Sequence, residues 1–134
     1  MGQVIIKSYS IKSKSEKIWK CLFIPSEIYL WGGGKAYITD QAGTKFSYWE
    51  GEAFGKILEI DKHKKVVLEY FEQGWKTPSK VTIKLFESGS TTSVTLEHVN
   101  FPNEFKDAIS YNWDRWYFYS IKKHLEEGSL VENI

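Results

Sequence analysis

Residues 79–99 alternate almost without error, and then the period of the pattern changes. In 79–87, Val81, Ile83 and Leu85 are interleaved with Thr82 and Lys84; in 91–99, Val94, Leu96 and His98 are interleaved with Thr95 and Glu97. Ser88-Gly89-Ser90 between them is a turn sequence. Period two with one apolar face predicts an antiparallel pair whose other face is wet. From about Asn103 or Glu104 to Glu127 the spacing is helical. Phe105, Ile109, Trp113, Trp116, Tyr117 and Ser120 fall in one stripe, widened by Tyr111, Phe118, Ile121 and Leu125. An apolar arc wider than ~100° implies that this helix meets more than one neighbour. The two patterns together predict a helix lying across the inner face of an antiparallel sheet.

The preceding residues supply the remaining elements. Val4 to Ile11, rich in β-branched and aromatic side chains, reads as a first strand. Ser13 or Ser15 opens a short helix whose apolar face is Ile18, Trp19, Leu22 and Phe23. Pro25 breaks it and suits the first turn of a second helix ending near Trp31, and Gly32-Gly33-Gly34 is a turn. The triplet has no Lys-Ser/Thr sequel, which argues against a phosphate-binding loop. Further strands are predicted at 35–39, 44–49, 52–60 and 65–73, joined by turn residues such as Asp40 to Gly43 and Asp61 to Lys64. In 52–60, Lys56 shares a face with Phe54 and Leu58, and a bulge near Gly55 is expected to turn it to water. Gly128 is placed to stop the last helix, so that 1–128 form one domain and 129–134 a short tail.

Composition narrows the function classes. The chain has 134 residues, enough for one domain with a core of its own. Lys and Arg number 18 against 17 Asp and Glu, spread along the chain, which argues against nucleic acid as a partner. Cys21 is the single cysteine, so no internal disulfide is possible and no cysteine-based zinc centre is expected. His63, His98 and His124 lack a second ligand at nearby sequence spacing, so no metal and no cofactor are expected. No apolar run reaches the roughly 20 residues of a membrane span, and no segment reads as a signal peptide. A cytoplasmic protein is the resulting expectation. The 6 Trp, 8 Tyr and 8 Phe are a heavy aromatic load for this length. So many rings call for a large interior, a lined pocket or a partner surface.

Several segments, taken in order, resemble a known family. Ser15-Glu16-Lys17-Ile18-Trp19-Lys20-Cys21-Leu22, then Pro25-Ser26-Glu27-Ile28 and Trp31, resemble the opening of the family related to the activator of the ninety-kilodalton heat-shock chaperone ATPase. Gly51 to Asp61 resembles its central hairpin, Thr91 to His98 its final strand, and Ile121 to Gly128 the end of its long helix. Where family members carry Gly-Trp on the last helix, this chain has Asn112-Trp113. The likeness is to the activator's C-terminal domain, within the START-like superfamily. It implies an α+β helix-grip fold: a curved antiparallel sheet wrapped around a long C-terminal helix, with two short helices after the first strand. The order it implies is one strand, two helices, six strands and the helix.

Fold does not assign function, and three readings follow. In the first, a small hydrophobic molecule occupies a cavity between helix and sheet. The residues expected to line it are Trp49, Phe54, Leu68, Tyr70, Ile83, Leu96, His98, Trp113 and Trp116. In the second, the domain docks on a chaperone or on a second copy of itself, being a monomer or a homodimer. In the third, it is an enzyme of cyclase or hydrolase type, for which only the unpaired His98 and Lys56 offer acid–base groups. A hydrogen-bonded core histidine is the plainer expectation for His98. Arg115, the sole arginine, is expected to stack on Tyr111 or Tyr119.

Overall fold

The computed structural model describes residues 3–127. Strand β1 (Val4–Ile11) is followed by helices α1 (Ser15–Phe23) and α2 (Pro25–Trp31), as the sequence predicts. Ile24 is extended, as a residue before proline prefers, and Pro25 opens α2. Gly32 closes α2 in the left-handed conformation. Strands β2 (Lys45–Tyr48), β3 (Ala53–Asp61), β4 (Lys65–Glu72), β5 (Ser79–Ser88) and β6 (Thr91–Val99) follow. They form one antiparallel sheet in the order β1-β6-β5-β4-β3-β2, so that the first strand joins the last across the sheet.

Residues 35–39 depart from expectation. They make only an isolated bridge, Tyr37 to Ser47, so five strands rather than six follow the helices. Left-handed backbone at Gly34, and at Trp49 and Glu50 across from it, twists the two chains out of a ladder. A Cβ on Gly34 would lie 2.9 Å from the Cα of Trp49, so glycine is required for this approach. The hairpin β3–β4 corrects a second expectation. Its bulge falls between Ile57 and Glu59, not near Gly55, and Lys56 is exposed because it lies on the outer face from the start. Ala53, Gly55 and Ile57 face inward. Gly55 stands opposite Phe46 on one side and Tyr70 on the other, and a Cβ there would sit 1.8 Å from the carbonyl oxygen of Glu69.

The C-terminal rod begins with a short 3-10 turn at Asn103–Phe105 and continues as α3 (Lys106–Asn112). Residues Trp113–Phe118 form a π-helical segment before α4 (Tyr119–Glu127). Within it the Tyr119 N–H donates to the Asp114 carbonyl and the Ser120 hydroxyl to the Arg115 carbonyl, each five residues back. The wider turn changes which residues face the sheet. Ile109, Trp113, Tyr117, Phe118 and Ile121 are buried, whereas Trp116, placed in the same stripe by a 3.6-residue wheel, is 48% exposed. Asp114 fastens this segment to β1, accepting from Lys7 Nζ at 2.9 Å and from the Tyr9 hydroxyl at 2.7 Å. The stop at Gly128 and the tail lie outside the described residues.

Candidate functional site

The space between rod and sheet is filled by rings. Trp113 and Tyr117 pack with centroids 4.3 Å apart, Trp113 lies 5.5 Å from Tyr70, and Tyr48 reaches Tyr117 at 5.9 Å. What remains, between residues that include Leu68, Tyr70, Ile83, Trp113 and Tyr117, is a cavity of about 30 Å³. That is the volume of about one water molecule. An apolar guest would have to push a ring out. Re-exposing about 200 Å² of aromatic surface costs about 5 kcal/mol at ~25 cal/mol per Å². A cost of that size lowers affinity more than a thousandfold.

Trp113 is also held by a polar chain. Its indole N–H, which can only donate, reaches His98 Nδ1 at 3.0 Å. Nδ1 is therefore the unprotonated nitrogen, and the proton on Nε2 faces the Ser79 oxygen at 2.7 Å. The Ser79 hydroxyl donates onward to the Tyr70 carbonyl at 2.6 Å. Both ring nitrogens are thus satisfied in the neutral form, and burial lowers the pKa of His98 to about 3. His98 is a core histidine with no surface from which to exchange a proton with substrate.

Where the rod passes the ends of β3 and β4, the molecule opens into a groove of about 470 Å³. The groove is lined by Trp49, Trp116 and Asn112, by the buried Ala53, Tyr70 and Tyr117, and by the polar Glu52, Glu72 and Gln73. Tyr70 and Tyr117 line both spaces, and their hydroxyls meet at 2.9 Å between them. Tyr70 donates to Glu72 Oε2 at 3.1 Å, which leaves Tyr117 to donate to Tyr70. Burial raises the pKa of Glu72 and the nearby Glu52 charge adds to it, while the Tyr70 hydroxyl acts in the opposite direction. Among the described residues neither carboxylate has a basic partner within 4 Å. Carboxylates without a basic partner, beside the exposed Trp116 and the half-buried Trp49, form a receptor for a cation, which gains both charge pairing and contact with ring faces.

Trp49 is built into this groove by strain. It lies at φ 49°, and Glu50 after it at φ 57°. Its N–H donates to the Gly33 carbonyl at 2.9 Å, its indole Nε1 to the Gly32 carbonyl at 2.7 Å, and its ring meets Tyr117 edge-on at 4.7 Å. Two left-handed non-glycine residues in succession are uncommon, and such backbone gathers at binding sites.

The nine residues expected to line one cavity are therefore dispersed. Leu68, Tyr70, Ile83 and Trp113 surround the small residual space, and Trp49, Tyr70 and Trp116 line the open groove. Leu96 is buried on the inner face of β6, and His98 serves the polar chain just described. Phe54 lies on the other side of the sheet, stacked on Phe71 with centroids 5.1 Å apart and planes 2° off parallel. Its parity follows from Gly55, whose missing side chain makes room for Phe46 and Tyr70. Arg115 lies over the rings of Trp116 at 4.6 Å and Tyr119 at 5.5 Å.

Glu52, Glu72, Gln73 and Tyr117 escaped sequence reasoning as groove residues. The one available signal was Glu72, which falls on the inward parity of β4 after Leu68 and Tyr70. A second convergence was equally hidden, because its members come from three helices: Cys21, Glu27 and His124. Among the described residues no helix is long and apolar enough to cross a membrane.

Comparison with known proteins agrees with this architecture. The family model described as Activator of Hsp90 ATPase homolog 1-like protein matches residues 12–126. No curated protein matches the sequence. Among solved structures, CalU16 from Micromonospora echinospora is similar at TM-score 0.82 and 20% identity, over 96% of this chain and 76% of its own. An HSP90 activator from Plasmodium falciparum is similar at TM-score 0.80 and 21% identity, over 96% of this chain and 98% of its own. The Aha1 dimer from Colwellia psychrerythraea is similar at TM-score 0.81 and 19% identity, over 94% and 98%. At these identities the structures attest the shared helix-grip fold. The match of the family model over most of the sequence places the chain in the Activator of Hsp90 ATPase homolog 1-like family.

Proposed function

We propose that this chain is a protein-docking domain that engages a chaperone of the Hsp90 class, with a lysine or arginine side chain of the partner seated in the groove between Trp49 and Trp116. The observation that carries the reading is a pair of unpaired carboxylates, Glu52 and Glu72, in an open aromatic groove beside a filled interior. Membership of the family and the likeness to an HSP90 activator support the choice of partner. A cytoplasmic setting suits such a role. The first reading from sequence, an apolar molecule enclosed under the helix, would need Trp113 or Tyr117 displaced.

Calorimetric titration of a purified Hsp90-class chaperone with this chain tests the proposal. Binding is expected to weaken at least tenfold in Glu72→Gln and in Trp116→Ala, and to fall with added salt, as an exposed charge contact must. No binding, or equal affinity in both variants, contradicts it. A second reading, self-association, is favoured by the exposed Tyr29, Arg115 and Tyr119 that border another groove of about 410 Å³ between α2 and α4. Light scattering separates the two: a dimer whose mass is unchanged by Trp116→Ala uses that other face.

A further inference from the structure

Away from the residues that line the aromatic groove, α1, α2 and α4 each contribute one metal-ligating side chain to a single point. Cys21, Glu27 and His124 offer one ligand atom apiece, all within 4.8 Å of one another. The thiol is fully buried, the imidazole is 11% exposed, and the Glu27 side chain, 34% exposed, forms the solvent edge. His124 Nε2 lies 3.6 Å from Glu27 Oε1, and its Nδ1 is buried with no hydrogen-bond partner among the described residues. A buried ring nitrogen without a partner is a costly arrangement that calls for a reason. An ion pair with Glu27 does not supply one: protonating the ring would turn Nδ1 from an unmatched acceptor into an unmatched donor.

We propose that Cys21, Glu27 and His124, the last through its unpartnered Nδ1, form a three-ligand site for a divalent cation of the zinc class, with its fourth position open to solvent beside Glu27. One sulfur, one nitrogen and one oxygen donor suit zinc, whereas magnesium and calcium require oxygen ligands in greater number. A thiolate and a carboxylate together cancel the charge of a divalent ion, so the bound centre is neutral in its partly buried setting. As the sulfur–metal bond forms, the thiol proton leaves to solvent. Metal–ligand distances of about 2.0–2.3 Å bring the donor atoms within about 3.5 Å of one another, so the three donors, now within 4.8 Å, would close by about 1 Å on binding. The ion would clip the last helix onto the helical pair, and this site stands independently of the docking groove.

The chain, stripped with chelator and given zinc chloride or cobalt chloride alone, tests the assignment. One equivalent should bind, with a rise in Tm that grows with metal concentration. Cobalt should give a thiolate-to-metal charge-transfer band, which can come only from Cys21 because the chain has no other cysteine. Cys21→Ser should abolish the band, and His124→Gln and Glu27→Gln should each weaken binding at least tenfold. Glu27→Gln alters a surface residue and keeps the core intact, so its result stands even if a core variant folds poorly. Metal bound without the thiolate band, metal bound as tightly by Glu27→Gln, or no metal bound at all would each overturn the site.

Discussion

At the scale of single residues, His98 shows how a donor with no alternative fixes a tautomer. The indole of Trp113 must donate, so the imidazole must accept at Nδ1 and keep its proton at Nε2. The consequence is a definite dependence of stability on pH. Burial lowers the pKa of His98 from 6.5 to about 3 in the fold, so below pH 6.5 the unfolded chain takes up a proton that the folded chain refuses. Stability from this residue is therefore complete above pH 6.5 and declines by about 1.4 kcal/mol per pH unit as pH falls toward 3. Urea unfolding of the chain and of His98→Gln, at steps between about pH 7 and about pH 4, should show the stability gap between them narrowing as acid is added. Parallel curves would mean that His98 is not held neutral. The inward parity of this histidine was legible from the alternation of β6. Its partners were not, since Ser79 and Trp113 reach it from 19 and 15 residues away through tertiary packing.

At the scale of elements, the hairpin and the rod differ in how much the sequence disclosed. The helices α1 and α2 were marked by Pro25 and the glycine triplet, and β5 and β6 by strict alternation, so local chemistry and tertiary structure agree there. In β3 the alternation was obscured because the key inward position carries no side chain. Gly55 lets the strand approach the Glu69 carbonyl, and Gly55→Ala should destabilise the fold by about 2–4 kcal/mol, read as a fall in Tm. A variant as stable as the parent would contradict the close approach. The π segment had no sequence mark of its own, because every residue from Trp113 to Phe118 is compatible with an ordinary helix. Its register is set by distant contacts. Asp114 is tied to Lys7 and Tyr9 on β1, more than a hundred residues earlier, and these partners hold its pKa below the usual carboxylate value against the effect of burial. Re-phasing the rod there turns Trp116 out of the core and into the groove wall.

At the scale of the molecule, the helix-grip order was readable from a handful of ordered segments, while the use of the interior was not. The same inventory of rings suits a hollow grip with a guest or a filled grip without one. Volume decides between them: about 30 Å³ beneath the rod against about 470 Å³ beside it. The surplus of aromatics goes partly to filling the space beneath the rod and partly to lining a groove whose carboxylates have no basic partner among the described residues. The six tryptophans report directly on which space a partner enters. In nitrogen-labelled protein each indole N–H gives its own signal, and titration with tetra-lysine should shift those of Trp49 and Trp116 while Trp113, bonded to His98, stays in place. Movement of the Trp113 signal ahead of the other two, or no movement at all, would contradict binding in the open groove.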